Sequence, residues 1–232
     1  MKRKKDLLLL HGALGSQAQF EHLKKRLAPH FCVHVFNFSG HGGNSTDQEF
    51  TMDVFLKDVL RFMSDKALQS TSVFGYSMGG YVALKLAMKY PGKVEKVMTL
   101  GTKIQWNAET AEKEVRLLDP KKMREKIPRF VALLKEEHAP GDWKKLVLKT
   151  AAMLHGLGNG KAIDLKCFTR LETSVLVCLG SEDTMVSKIE SEELVDNLDK
   201  GRFLEIQGFK HPIGQVDQSH LSDIMLTYFT EE

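Results

Sequence analysis

No stretch of this 232-residue chain approaches the ~18 consecutive apolar residues that a membrane-spanning helix needs. The pure apolar run nearest the start, residues 7–10, is four residues long. It follows Met1-Lys2-Arg3-Lys4-Lys5, as in the charged start of an export signal. It falls far short of the ~7–15 apolar residues such a signal carries, and His11-Gly12 ends it. A cytoplasmic location is expected. Cysteine is scarce: Cys32, Cys167 and Cys178 make no CxxC pair, and an odd count leaves no complete disulfide framework. They are expected to be reduced thiols acting as buried small hydrophobes. No HExxH helix is present, so a metal site is not expected. Charge of one sign is also lacking. The 33 Lys and Arg face 30 Asp and Glu, for a net +3, and the basic residues form no tract with interleaved aromatics. That excludes the usual footprint of a nucleic-acid binder. No internal repeat or low-complexity tract occurs. What remains is a chain 42% hydrophobic with mean hydropathy −0.24, enough for one soluble globular domain with room for an insertion.

Six short apolar runs recur along it, at residues 7–10, 32–38, 72–75, 94–100, 175–179 and 202–206. Each is bounded by glycine or polar residues, the pattern of strands buried on both faces of a parallel sheet. Apolar positions spaced by three and four separate them. Examples are Phe20, Leu23 and Leu27, the series Met52, Phe55, Leu56, Val59, Leu60 and Met63, and Tyr81 to Met88 ahead of Tyr90-Pro91-Gly92. Further helical patterns span 189–198 and 221–229. Alternating strands and helices predict an α/β fold with helices on both faces of a six-stranded sheet. Residues 104–168 break the alternation. Their apolar spacing is helical, with Pro120, Pro128 and Ala139-Pro140-Gly141 as punctuation, and they hold 13 basic against 9 acidic residues. They read as an all-helical insertion of three or four helices.

One segment carries chemistry most clearly. Gly75-x-Ser77-x-Gly79 lies between a predicted strand and a predicted helix, the context of a nucleophile elbow. There a serine sits on a tight turn with small residues two positions away on either side. A serine hydroxyl needs a base, and this motif expects an acid and then a histidine further along the chain. Gly180-Ser181-Glu182-Asp183 follows the fifth apolar run and Gly208-Phe209-Lys210-His211-Pro212 follows the sixth. Both lie beyond strand carboxyl ends, where ligands meet an open α/β sheet. His211 is the expected base, with His220 assigned to a helix surface, and Glu182 and Asp183 both remain candidates for the acid. The oxyanion hole is expected from the backbone N–H groups of Met78, after the serine, and Ala13, in the loop after the first strand. His11 is expected to hold that loop by hydrogen bonds. Gly156 to Lys161 mimics a phosphate loop. However, His155 and Ala162 stand where GxxxxGK[ST] needs glycine and a hydroxyl, and no strand precedes it.

HGALGS, FSGHGGNS, GYSMGG, GSED and KHP occur in this order, and with them the chain resembles the α/β-hydrolase superfamily. The resemblance implies Ser77, Asp183 and His211 as a catalytic triad, Asp183 being favoured over Glu182 by its spacing after Gly180. It implies a core of residues 1–103 and 169–232, a helical cap at 104–168, and no cofactor. Because the sequence begins at the strand before His11-Gly12, a minimal six-stranded sheet is expected. Asn37 stands where the superfamily usually has an acid, in a loop near the site. Trp106, Trp143 and Phe130 are candidates to line a pocket, with packing of cap against core as the preferred use. The basic excess of the insertion would suit an anionic substrate such as a coenzyme A thioester, with a solvated helix face as the preferred use.

The expected activity is that of a carboxylesterase-like serine hydrolase cleaving a small ester or thioester, with a small-molecule acyl substrate and a monomeric or homodimeric chain. HGxLGS with GYSMGG is also similar to SHCHC synthase of the menaquinone pathway, a lyase using the same triad. In that family an arginine follows SMGG, whereas Tyr81 stands here. A hydrolase-fold receptor with little turnover is a third alternative.

Overall fold

The computed structural model describes residues 4–231. Six strands form one sheet: β1 (Lys5–Leu10), β2 (Phe31–Val35), β3 (Thr71–Tyr76), β4 (Val94–Leu100), β5 (Ser174–Glu182) and β6 (Gly201–Lys210). Their spatial order is β2-β1-β3-β4-β5-β6, and every neighbouring pair is parallel. Parallel neighbours need crossovers, and outside the insertion α1 (Glu21–Leu27), α2 (Met52–Asp65), α3 (Met78–Lys89) and α8 (Lys188–Asp196) supply them, while α9 (Gln218–Thr230) follows β6 and packs beside α1. Between β4 and β5 the chain runs through α4 (Ala108–Val115), α5 (Pro120–Lys126), α6 (Pro128–Glu137) and α7 (Trp143–Gly156), with no strand among them. Among the described residues no helix is long and apolar enough to cross a membrane.

The four consecutive leucines of β1 are all fully buried because alternate side chains of a strand serve opposite faces and both faces are covered. Leu8 and Leu10 join Val73, Val97, Val175 and Val177 under α2, α3 and α8. Leu7 and Leu9 join Phe74, Met98, Leu100 and Leu176 under α1 and α9. Each buried leucine stabilises the fold by about 1.5–3 kcal/mol, and truncating one to alanine costs about 2–5 kcal/mol. The insertion has a core of its own in Met123, Val131, Leu134, Trp143 and Val147, while Leu146, Met153 and Leu157 join the cluster under the sheet.

Three expectations are corrected. β2 stops at Val35, not at residue 38: it is an edge strand, and the N–H of Phe38 bonds the His11 ring instead of β1. β5 and β6 run further than their apolar cores and stay paired out to Glu182 opposite Lys210, past an irregularity after Gly180. Of the cysteines only Cys178 is buried, and burial pushes its thiol up; Cys32 and Cys167 are exposed. Cys32 lies on the edge strand, on the opposite face from the buried Phe31, and Cys167 in the short 3-10 turn of Leu165–Arg170.

Strand order decides where a site forms. After β1 the chain moves to one side of it to form β2, then returns to the other side for β3. The loops leaving β1 and β3 therefore diverge at the carboxyl edge, the switch point where open α/β sheets bind ligands. His11-Gly12 follows β1 and Ser77 follows β3.

Candidate active site

Ser77 sits between β3 and α3 with φ 50° and ψ −117°, a left-handed conformation a side-chain-bearing residue rarely holds. Such strain costs about 1–3 kcal/mol and persists only where the surroundings over-determine it. Here they do. The Ser77 N–H donates to Leu100 O at 2.9 Å, and Ser77 O accepts from Gly80 N, Tyr81 N and Thr102 Oγ1 at 3.0, 3.2 and 3.1 Å. The turn also needs glycine two residues on. A Cβ on Gly79 would stand 2.0 Å from Leu10 O, so any side chain there would force α3 away from β1.

His211 and Asp183 arrive by strand register. Glu182 is paired with Lys210 across β5 and β6, so the next residue on each strand, Asp183 and His211, leaves the sheet side by side. His211 Nδ1 lies 2.8 Å from Asp183 Oδ2, and His211 Nε2 lies 3.3 Å from Ser77 Oγ, loose for a hydrogen bond as is common without a substrate. The Asp183 side chain is 2% exposed. Its Oδ1 accepts from Met185 N at 2.8 Å and Val186 N at 2.9 Å. Burial acts to raise its carboxyl. The hydrogen bond and charge of His211, with the two backbone N–H groups, outweigh it and hold the group below the usual carboxylate range. Glu182 is exposed, 4.0 Å from Lys210 Nζ, and His220 lies on the exposed face of α9 against Phe209.

A cavity of about 90 Å³ opens onto Ser77 and His211. Ala13 and Met78, the two residues proposed to supply oxyanion N–H groups, both line it. Its walls are otherwise mostly apolar, with Met52, Tyr81, Trp106, Met153, Leu154 and Val186 among them. Trp106, Met153 and Leu154 come from the insertion. Of the other two aromatics singled out there, Trp143 is buried in the insertion's own core and Phe130 is exposed. Lys103 also reaches the wall, but its Nζ is 2.8 Å from Glu190 Oε2, so its charge is already matched.

The loop after β1 is held from several sides. His11 is fully buried, its Nδ1 2.8 Å from Gly12 O, while its Nε2 accepts from Phe38 N at 3.2 Å. Burial and the nearby His138 lower its pKa to about 4 against the opposing Gly12 carbonyl, so the ring is neutral with the proton on Nδ1. Asn37 joins neighbouring loops, accepting from Gln17 N and donating to Gly42 O. Tyr81, after SMGG, directs its hydroxyl at the insertion and accepts from Ile163 N at 2.7 Å. Burial pushes that phenol up to about 12, so it stays neutral.

Sequence reasoning missed Gly101 and Thr102, just beyond β4. Thr102 clamps the Ser77 carbonyl, and Gly101 lies under the Asp183–His211 pair. Their position at a strand carboxyl end was the available signal. Among the described residues one group has metal-ligand chemistry: Asp6, Cys32 and His34, whose ligand atoms all lie within 4.8 Å of one another. It sits on β2 and the amino end of β1, away from Ser77, and Asp6 Oδ1 is 2.7 Å from His34 Nε2.

Comparison with known proteins agrees with this architecture. A family model described as alpha/beta hydrolase fold matches residues 6–142, more than half of the chain. Ethanol acetyltransferase 1 of Cyberlindnera jadinii is 25% identical over 230 residues, covering 96% of this chain and 60% of that protein. A pimeloyl-[acyl-carrier protein] methyl ester esterase of Hamiltonella defensa is 30% identical over 97 residues, 42% of this chain and 36% of that protein. The match thus spans less than two thirds of the length of either relative. Among solved structures, the enol-lactonase of Burkholderia xenovorans LB400 superposes with a TM-score of 0.81 at 17% identity, covering 99% of this chain and 92% of that one.

Proposed function

This chain belongs to the alpha/beta hydrolase fold family, and within it we propose a serine hydrolase that cleaves a small carboxylic ester or thioester through an acyl-enzyme on Ser77. The observation that carries the reading is the continuous line from Asp183 Oδ2 through the His211 ring to Ser77 Oγ, at 2.8 and 3.3 Å, on a turn strained at the serine. Ser77 Oγ attacks the acyl carbonyl while His211 Nε2 takes its proton. The carbonyl oxygen becomes an anion facing the N–H groups of Ala13 and Met78. His211 then protonates the departing alcohol or thiol. In the second half His211 deprotonates a water, the water attacks the acyl carbonyl, and the acid leaves with Ser77 restored. Asp183 keeps the imidazole in the tautomer with its proton on Nδ1 and stabilises the cation that forms.

Residues 104–168 serve in this reading as the cap, with 1–103 and 169–232 as the core. The small apolar cavity, part-walled by Trp106, Met153 and Leu154, suits a short acyl chain. No step needs a cofactor. The relatives named for an esterase and an acetyltransferase support acyl chemistry in the family. The lyase alternative is disfavoured by Tyr81, a neutral phenol that accepts from Ile163 N and offers a substrate carboxylate no cation. A panel of p-nitrophenyl esters and acyl-coenzyme A thioesters tests the proposal. Saturable turnover of a short member supports it, and no turnover of any member, with no labelling by a fluorophosphonate, rejects it.

A further inference from the structure

At the carboxyl end of α6 stands His138, and its proposed role rests on the reading of Ser77 as the acyl-forming nucleophile. In a planar trans peptide the C=O and the following N–H point in opposite directions. The Gly12 carbonyl and the Ala13 N–H belong to one such unit, so whatever holds Gly12 O also aims the Ala13 N–H. Two groups hold it: the His11 ring at 2.8 Å and the Gly15 N–H at 3.2 Å. The Gly15 bond closes a turn over residues 12–15 whose third residue, Leu14, has φ 58°. Turns of that shape normally place glycine or asparagine there. A leucine in this conformation relaxes unless it is tied down.

The tie comes from the insertion. His138 is 2% exposed, and its ring bridges the loops that follow β1 and β2. Its Nδ1 accepts from Gly42 N at 2.8 Å, which leaves Nε2–H to donate to Leu14 O at 3.0 Å. Beside it, Glu137 Oε2 accepts from Ser16 Oγ at 3.2 Å. The Leu14 side chain meanwhile packs against the insertion's own core. Burial keeps the His138 ring below its ordinary pKa despite the Leu14 carbonyl and Glu137, so the ring stays neutral, the only form with both a donor and an acceptor.

We propose that His138 is a positioning residue for the oxyanion hole. By fixing the Leu14 carbonyl it holds the 12–15 turn closed and the Ala13 N–H aimed at the oxygen of the reacting carbonyl. Correct seating of the cap and completion of the oxyanion hole are then a single event. An oxyanion donor acts on charge that develops only in the transition state, so its displacement lowers kcat and leaves KM nearly alone. A residue that merely holds the fold together would instead lower the amount of active enzyme, and one that shaped the pocket would raise KM.

The test compares His138→Leu and His138→Gln with the unsubstituted enzyme on p-nitrophenyl butyrate, with melting temperatures and fluorophosphonate titration of active sites. Glutamine carries an N–H donor group and an acceptor oxygen in one plane, so it can serve both Leu14 O and Gly42 N as the neutral ring does. The expected result is a fall in kcat per titrated site of about 10- to 100-fold for His138→Leu, KM within about threefold, and recovery of most of that loss in His138→Gln. Where the leucine variant does not fold, His138→Ser takes its place with the same expected loss. Unchanged kcat per titrated site in the folded leucine or serine variant overturns the proposal, as does a loss seen only in KM. The parallel assay of Ser77→Ala separates the two readings. Turnover that needs Ser77 but not His138 overturns this inference alone, whereas turnover unchanged in Ser77→Ala overturns the nucleophile reading and this inference with it.

Discussion

Gly101→Ala is the perturbation that most sharply probes the geometry beneath the proposed triad. Gly101 follows β4 with φ +59° and donates its N–H to Cys178 O at 3.0 Å. Alanine in that conformation costs about 1–2 kcal/mol of backbone strain. The added Cβ would also stand 3.0 Å from Asp183 Oδ2, 3.2 Å from His211 Nδ1 and 3.3 Å from His211 Cε1, so the pair must yield by a few tenths of an ångström. Asp183 is tethered by two backbone N–H groups, so His211 is the partner that moves, and its 3.3 Å contact with Ser77 Oγ is the one that suffers. A displacement of about 1 Å can cost a hundredfold in rate, and a fraction of that distance is expected to cost about tenfold in kcat. Gly160→Ala is the control. Gly160 has φ +87°, and a Cβ added there would meet nothing within 4 Å, so it carries the strain without the collision. Both variants should lose about 2–4 °C in Tm for each kcal/mol, by scanning fluorimetry. Only Gly101→Ala should lose kcat on p-nitrophenyl butyrate. Wild-type kcat in Gly101→Ala, or an equal loss in Gly160→Ala, would show that the space at Gly101 does not set the position of His211.

Two further outcomes follow from the same structure. His11, His41 and His138 are all held below the ordinary histidine pKa chiefly by burial, His11 to about 4, so each is neutral when folded and takes up a proton on unfolding in mild acid. Their stabilisation is fully present above the unfolded value of about 6.5 and is lost as pH falls toward the folded value. His11 alone accounts for about 2 kcal/mol between pH 6.5 and 5, read as a lower urea midpoint at pH 5 than at pH 7, and equal midpoints would count against the buried neutral rings. Met153→Ala should deepen the cavity and shift the preferred p-nitrophenyl ester from four-carbon toward eight-carbon acyl chains by about tenfold in the ratio of kcat/KM; an unchanged ratio would remove Met153 from the acyl wall.

The sheet was legible because its strands are buried on both faces, which leaves unbroken runs such as Leu7-Leu8-Leu9-Leu10 in the sequence. The carboxyl extensions of β5 and β6 were not. Gly180 and Gly208 interrupt their apolar pattern, yet the pairing of Glu182 with Lys210 beyond them is what delivers Asp183 to His211. Ser77, Asp183 and His211 stood out because a motif and a strand order name them. His138, Gly101 and Thr102 did not, since each acts by contact with a distant part of the chain. Gly101 and Thr102 showed only their place beyond a strand's carboxyl end, and the residue types in LGTKIQW and LLKEEHAPG name no partner at Ser77, Leu14 or Gly42. The exposed Cys32 and Cys167 mark the opposite limit: residue type suggested burial, but their places on an edge strand and a 3-10 turn decided otherwise.

Acyl-enzyme formation at Ser77 can be observed by mass spectrometry of the intact protein after brief reaction with p-nitrophenyl butyrate and acid quench. A population heavier by one butyryl group is expected, located by peptide mapping to Ser77, with neither adduct nor measurable turnover in Ser77→Ala at an unchanged melting temperature. Turnover of the ester at the wild-type rate by Ser77→Ala, or an acyl group mapped to any other residue, would contradict acyl-enzyme formation at Ser77.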